Sequence, residues 1–259
     1  MDTKTISLTM PEAQLTVADT CLKISFPTDH LSLSTAIYGG GFRRVRQVMN
    51  QQLTHYWASE KEFPGGSVEA YLQSCARTQG ADLDKCSVLL TAAKVRQFSH
   101  QIFRGHRLIV EAITTGGVEK TACRASSAPL YREEAGHFMP IGTINMMVLL
   151  HGSLPPGIMA RALITLTEGK TAALQDLGIA DVNNGLPATG TGTDGITLVT
   201  EEEGDPYTDA GSFSELGSLL AQAAYHSVKE CLITYDRPWN AFETLKTPKA
   251  VSFKSREKE

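Results

Sequence analysis

GTINMMVLLHGSLPPGIMARALITLTEGKTAALQDLG, Gly142 to Gly178, is the stretch that decides the fold. Its opening, Gly142 to Leu150, is a short apolar run of strand length. HGSLPPG follows as a tight loop, with Ser153 placed as an N-cap and Pro155 and Pro156 in the first helical turn. A helix is expected from about Pro155 to Leu177, stopped by Gly178. A buried strand joined by a short loop to a long helix is an α/β unit.

Working outward, GITLVT reads as a further strand, EEEGDP as a charged turn and FSELGSLLAQAAYHSVKECLI as a second long helix. Upstream, TISLTM, LKISFP and LSLSTAIY carry β-formers between turn residues and read as three strands. YGGGF, Tyr38 to Phe42, interrupts them. SVEAYLQSCARTQG fits a helix from about Ser67 to Gln79 ended by Gly80. CSVLLTAA fits a buried strand, and FSHQIFRGHRLIVEAITTGG a hairpin turning near Gly105. The fold class is α/β, or α+β: a central mixed sheet, two long C-terminal helices packed on it, and a β-rich N-terminal portion. A single domain over residues 1–235 and a polar, Lys-rich tail over 236–259 are expected.

The totals exclude several function classes. The chain has 259 residues, 42% of them hydrophobic and 20% charged, with a net charge of -4. A mildly acidic chain lacks the electrostatic footprint of a nucleic-acid binder. No run approaches the roughly 20 apolar residues of a membrane span. MDTKTISLTM does not resemble a signal peptide. Five cysteines without a C-x-x-C pair suit a reducing cytoplasm, and no histidine spacing predicts a metal.

Four places stand out chemically. On the Pro155–Leu177 helix, Lys170 shares the stripe of Met159, Leu163, Leu166, Ala173 and Leu177, while Glu168 lies opposite with Arg161 and Gln175. Either the Lys170 stem packs and its amine reaches water or a carbonyl, or the amine is partly buried at a site edge. Glu168 by itself reads as a solvated carboxylate. In GTIN, Thr143 and Asn145 share one strand face, and a buried asparagine needs partners at both ends of its amide. ATGTGTDG, Ala188 to Gly195, spends glycines that pack nothing. If extended, Thr189, Thr191 and Thr193 form a hydroxyl row and Gly190 and Gly192 bare the backbone; if the glycines take positive φ, the N–H groups form an anion nest. Asp194 is the acid of this segment, or its turn-stabilising side chain. Gly39, Gly40 and Gly41 make a second glycine cluster, and His151 ends a strand beside a helix start.

Taken in order, GTINMMVLL, LPPGIMARALITLTEGKTAALQDLGI, ATGTGTDGI and LGSLLAQAAYHSVKE resemble the adenosylcobinamide amidohydrolase family of corrinoid salvage. YGGGF and AITTGGVEKTACRAS look like weaker upstream counterparts. The resemblance implies hydrolysis of the amide joining the corrin ring of adenosylcobinamide to 1-amino-2-propanol, giving adenosylcobyric acid, which re-enters cobalamin synthesis. It implies a corrinoid small-molecule partner and no cofactor, cobalt arriving only with the substrate; a homodimer is compatible with it. Three departures are visible: Ser212-Phe213 where a Lys-His pair is expected, Gly169 where alanine is usual, and no Asn-Ala step in GGVEKTA.

An amide hydrolase must supply a nucleophile, stabilise an oxyanion and protonate a leaving amine. No G-x-S-x-G elbow or Ser-x-x-Lys is present. One scheme uses water activated by Asp194 or Glu168, with Lys170, Asn145 or loop N–H groups on the oxyanion. The other uses the hydroxyl of Thr189 or Thr191 activated by Lys170. Thr143, His151, Gly39 to Gly41 and the Thr189–Thr193 loop are the expected substrate contacts. The rival readings are a corrinoid binder without hydrolase activity, favoured by Ser212-Phe213, and an amidohydrolase acting on another small amide.

Overall fold

The computed structural model describes residues 3–57, 59–128 and 143–234. Gly142 and the 236–259 tail lie outside the described residues. Nine strands are β1 (Lys4–Ser7), β2 (Gln14–Val17), β3 (Cys21–Ser34), β4 (Gly41–Gln52), β5 (Cys86–Thr91), β6 (Phe98–Arg104), β7 (Ile109–Gly116), β8 (Ile144–His151) and β9 (Gly195–Thr200). Three α-helices are α1 (Val68–Thr78), α2 (Pro156–Asp176) and α3 (Glu215–Thr234).

The strands form one curled mixed sheet in the order β1-β2-β3-β9-β8-β7-β6, with β4 paired to β3 and β5. The β8–β9 and β4–β5 pairs are parallel and the others antiparallel. Because side chains alternate across a strand, β8 feeds two cores. Met146, Val148 and Leu150 pack with Leu166 and Ala173 of α2 and Leu220 and Ala224 of α3. Met147 and Leu149 face Leu15, Leu22, Ile24, Val48 and Leu89 of the N-terminal strands. Those strands bury Met49, Cys86 and Val88 under Leu72 and Ala76 of α1. The layers therefore run helices, strands, strands, helix.

The two strands read in LKISFP and LSLSTAIY are one long strand, β3. Its pairing with β4 lapses between Ser25 and His30, where Pro27 offers no N–H to a ladder. The bulge lets the same strand leave the β2 side and join β9. The β4 strand was hidden by Arg43, Arg44 and Arg46, which blur the alternation around Val45 and Val48. Ser153 does not cap α2: Pro155 holds the cap position, and the Ser153 backbone bridges Pro206 instead.

Gly169 is explained by packing. A Cβ there would collide with the Ala221 carbonyl of α3, so the two helices meet backbone to backbone. Gly169→Ala is expected to lower stability in a thermal melt. Helix propensity favours alanine by about 1 kcal/mol, but forcing a methyl against backbone costs about 1–3 kcal/mol. A raised melting temperature would refute this.

Candidate active site

One end of the sandwich gathers the N-terminal ends of β8 and β9, the C-terminal ends of β4, β5 and β7, and the loop before β9. Helix α2 aims its apolar stripe at the sheet: Met159, Ala162, Leu166, Gly169, Lys170, Ala173 and Leu174 are all buried. Lys170 is buried, with 5% of its surface exposed. Its Nζ forms an ion pair with Asp194 Oδ2 and donates to the Thr189 carbonyl at 3.1 Å. A buried charge persists when it is paired and hydrogen-bonded, and both conditions hold here.

Asp194 is the hub. Besides Lys170, its carboxylate accepts from the Thr191 hydroxyl at 2.5 Å, the Thr191 N–H at 3.3 Å and the Ile144 N–H at 3.1 Å. The glycines make this convergence feasible. Gly192 has φ +80° and turns the chain back, and a Cβ on Gly190 would collide with Asp194 Oδ2 and lie 2.7 Å from Lys170 Nζ. The loop is therefore not extended, and its threonines do not form one row. Thr191 is buried on Asp194. Thr189 accepts from the Ala125 N–H at 2.9 Å, and the exposed Thr193 accepts from Thr143 at 2.7 Å through its carbonyl. Opposite, Cys123 holds the loop through N–H to Gly190 carbonyl at 2.8 Å and Thr189 N–H to its own carbonyl at 2.9 Å. Burial, with Asp194 and Asp181 nearby, pushes the Cys123 thiol up, away from a ready thiolate.

On the other side of the β8–β9 pair lies a second polar group. Asn145 is paired in register with Gly195 and points between the strand layers. Its Nδ2 donates to Asn50 Oδ1 at 2.9 Å and to the Leu90 carbonyl at 3.0 Å, and Asn50 Nδ2 donates to Thr115 Oγ1 at 2.8 Å.

The structure brings Asp194, Lys170, Thr191, Gly190, Thr143, Asn145 and Thr189 to this end. Gly39 to Gly41 lie off this cluster: a Cβ on Gly39 would meet the Cys86 carbonyl and Arg43, and one on Gly40 the Ala36 carbonyl, although Thr35, at the start of their loop, donates its N–H to the Ile196 carbonyl at 2.9 Å and accepts the Ile196 N–H at 3.0 Å. Glu168 is exposed on the outer face of α2, away from Lys170. His151 sits at the far end of β8, roughly 20 Å along the strand from Asn145, with Nε2 3.0 Å from Thr9 Oγ1 and Nδ1 3.5 Å from Glu201. The Phe213 side chain is fully exposed and so contributes nothing to the Lys170 cluster.

Sequence reasoning missed Asn50, Thr115, Cys123 and Asp181. Asp181 is buried and accepts from the N–H groups of Arg124 and Asn183 at 2.8 Å each and from Ser127 Oγ at 2.8 Å. Those backbone N–H groups hold its carboxyl well below the usual carboxylate range. It thus ties the 181–187 loop to the Cys123 segment. The Asp-x-Asn-Asn-Gly run was the available signal, since such residues close local turns. Next to the Ala122–Cys123 segment opens a groove of about 410 Å³ with mixed polar and apolar walls, lined by Val118, Glu119, Ala122, Ile179, Val182 and Ile233 and by none of Asp194, Thr191 or Lys170. Among the described residues, no helix is long and apolar enough to cross a membrane, and no three His, Cys, Asp or Glu side chains gather as a metal would require.

Comparison with known proteins gives three findings. The adenosylcobinamide amidohydrolase family profile matches residues 7–238. The uncharacterized protein MJ1613 of Methanocaldococcus jannaschii is 30% identical over 231 residues, 83% of this chain and 87% of that protein, and the adenosylcobinamide amidohydrolase of Methanosarcina mazei is 26% identical over 212 residues, 78% and 89% respectively. Among solved structures, a Burkholderia sp. beta-aminopeptidase superposes with a TM-score of 0.40 at 12% identity, covering 84% of this chain and 78% of its own.

Proposed function

The chain belongs to the adenosylcobinamide amidohydrolase family, and from that premise we propose that it hydrolyses the aminopropanol amide of adenosylcobinamide to adenosylcobyric acid and 1-amino-2-propanol. The observation that carries the chemistry is one carboxylate, Asp194, shared by a buried ammonium and a threonine hydroxyl. A base and a nucleophilic hydroxyl in direct hydrogen bond, with a third group orienting the base, is the arrangement acyl transfer requires. It favours Thr191 as nucleophile with Asp194 as its base, in place of Lys170 as base. Thr189 is the weaker alternative: its hydroxyl accepts from the Ala125 N–H, and unlike Thr191 it has no carboxylate in direct hydrogen bond to take its proton.

In this scheme Thr191 Oγ1 bonds to the amide carbon as its proton passes to Asp194. The C–N bond breaks and that proton leaves on the nitrogen of 1-amino-2-propanol. Water then cleaves the ester: its hydroxyl goes to the acid and its proton restores the threonine. Lys170 places the carboxylate, and the third N–H of its ammonium serves the developing oxyanion.

The test is incubation with adenosylcobinamide and mass spectrometry for both products. Wild type is expected to release them, and Thr191→Ala to lower kcat by about a thousandfold. An acyl adduct on the peptide carrying Thr191 would establish the covalent route. Full activity of Thr191→Ala would move the chemistry to an Asp194-activated water. Corrinoid binding without product in wild type would sink the hydrolase reading.

A further inference from the structure

The Thr–Gly loop is held from two sides. On its Asp194 side it runs into β9 and takes the Ile144 N–H and the Lys170 ammonium. On its Thr189 side it leans on a segment that belongs to no strand. Cys123 and Gly190 form an isolated bridge there. Cys123 donates its N–H to the Gly190 carbonyl at 2.8 Å, and its own carbonyl accepts the N–H groups of Thr189 at 2.9 Å and Gly190 at 3.2 Å. The Ala125 N–H reaches Thr189 Oγ1 at 2.9 Å. A segment outside the sheet has no ladder to fix its register, and catalytic groups on a loop are only as precise as what supports them. The support is Asp181, 2% exposed, in the turn that follows α2. Its Oδ1 accepts the Asn183 N–H at 2.8 Å and Asn183 Nδ2 at 3.1 Å, which shapes that turn. Its Oδ2 accepts the Arg124 N–H and the Ser127 hydroxyl, each at 2.8 Å. One carboxylate therefore ties the end of α2 to the segment that backs the loop. The ring closes through the Thr189 carbonyl, which accepts from Lys170 Nζ at 3.1 Å and Thr171 Oγ1 at 3.2 Å, both on α2.

We propose that Asp181 is a positioning residue: by joining the turn after α2 to the Cys123 segment, its carboxylate sets where Thr191 and Asp194 stand against Lys170. It touches none of those three side chains and acts through backbone, from the Arg124 N–H to Cys123 and from Cys123 to Thr189 and Gly190. This rests on the hydrolase reading for its kinetic consequence, but not for its structural one.

Two measurements test it, both on the full chain carrying Asp181→Asn. The substitution is nearly isosteric, but its Nδ2 cannot accept, so either the Asn183 donors or those of Arg124 and Ser127 lose their partner. The first measurement needs no activity. By amide hydrogen exchange, the Thr189 and Gly190 N–H groups are expected to lose protection about tenfold or more, while the amides of β8 keep theirs. Unchanged exchange at Thr189 and Gly190 overturns the proposal even if the chain hydrolyses adenosylcobinamide, and so does an equal loss throughout β8. The second is kinetic. Asp181→Asn is expected to lower kcat about 10- to 100-fold with little change in KM. In a Thr191→Ala background, where the group being placed is gone, the same substitution should cost nothing further. An equal loss in both backgrounds, or a rise in KM alone, would show Asp181 to be merely structural. Ser127→Ala removes one donor from the same carboxylate and leaves the Arg124 bond, so it should shift exchange and kcat in the same direction by less. A larger effect than that of Asp181→Asn would place the support elsewhere. If wild type proves inactive on adenosylcobinamide, the hydrolase reading fails and the exchange result still decides the positioning.

Discussion

Asp194→Asn is expected to abolish turnover of adenosylcobinamide, with kcat down by about 10³- to 10⁴-fold. The substitution is nearly isosteric. The amide oxygen can still accept from Thr191 and Ile144, as the carboxylate does at 2.5 and 3.1 Å. What disappears is the charge that pairs with Lys170 and the basicity that takes the Thr191 proton. The new Nδ2 would face two donors, Lys170 Nζ and the Thr191 N–H, but the loop keeps its Oδ1 bonds and those to Cys123, so corrinoid binding should survive and the loss should fall on kcat. Loss of binding with an unchanged far-UV spectrum would mean that the ion pair serves mainly to shape the loop. A rate within tenfold of wild type would remove Asp194 from the chemistry altogether.

Glu111→Ala is expected to destabilise the fold by about 3 kcal/mol, measured by denaturant unfolding. Glu111 on β7 is fully buried, and its carboxylate accepts from the Thr9 N–H at 2.8 Å, the Thr9 hydroxyl at 2.6 Å and His100 Nε2 at 2.6 Å. It thereby fastens the turn between β1 and β2 onto the central strands. Truncation leaves several donors without an acceptor, and those lost bonds, rather than lost volume, set the cost. Burial pushes the Glu111 carboxyl up, but the hydrogen bonds from His100 and Thr9 outweigh it and hold the group below its ordinary value. The sign follows by linkage. A folded-state value below the unfolded one, about 4.3, means that the contribution is fully present above that pH and is lost as pH falls through the folded value. The variant should therefore differ most from wild type near neutrality and converge with it in acid. A constant difference down to the acid limb would show that Glu111 is not the ionised anchor.

The elements whose signal lies within a few residues were legible in the chain. Met146 to Leu150 is an unbroken apolar run and α2 a 3.6-residue stripe, so strand and helix appear where their periods place them. The same stripe placed Lys170 on the core side but left open whether its amine is buried, and the cost of placing so many glycines together marked the Thr–Gly loop. Membership of the family rested on motif order, which is also local. What the chain alone could not give is pairing across distance. Lys170 and Asp194 are 24 positions apart, and nothing in either segment names the other. Asn50 reaches Asn145 across 95 positions because β3 and β4 cross from one strand layer to the other at the Pro27 bulge, and no propensity encodes that crossing. Glu168 stood beside Asp194 as a possible base and His151 as a possible substrate contact. The direction of α2 turns Glu168 to solvent, and the length of β8 carries His151 to the opposite end. Sequence by itself determined which segments bury and which bend, because solvation and backbone strain act locally. Only the tertiary structure decided which of the buried polar groups meet, because that depends on strand order and register, which are set by the packing of the whole sheet.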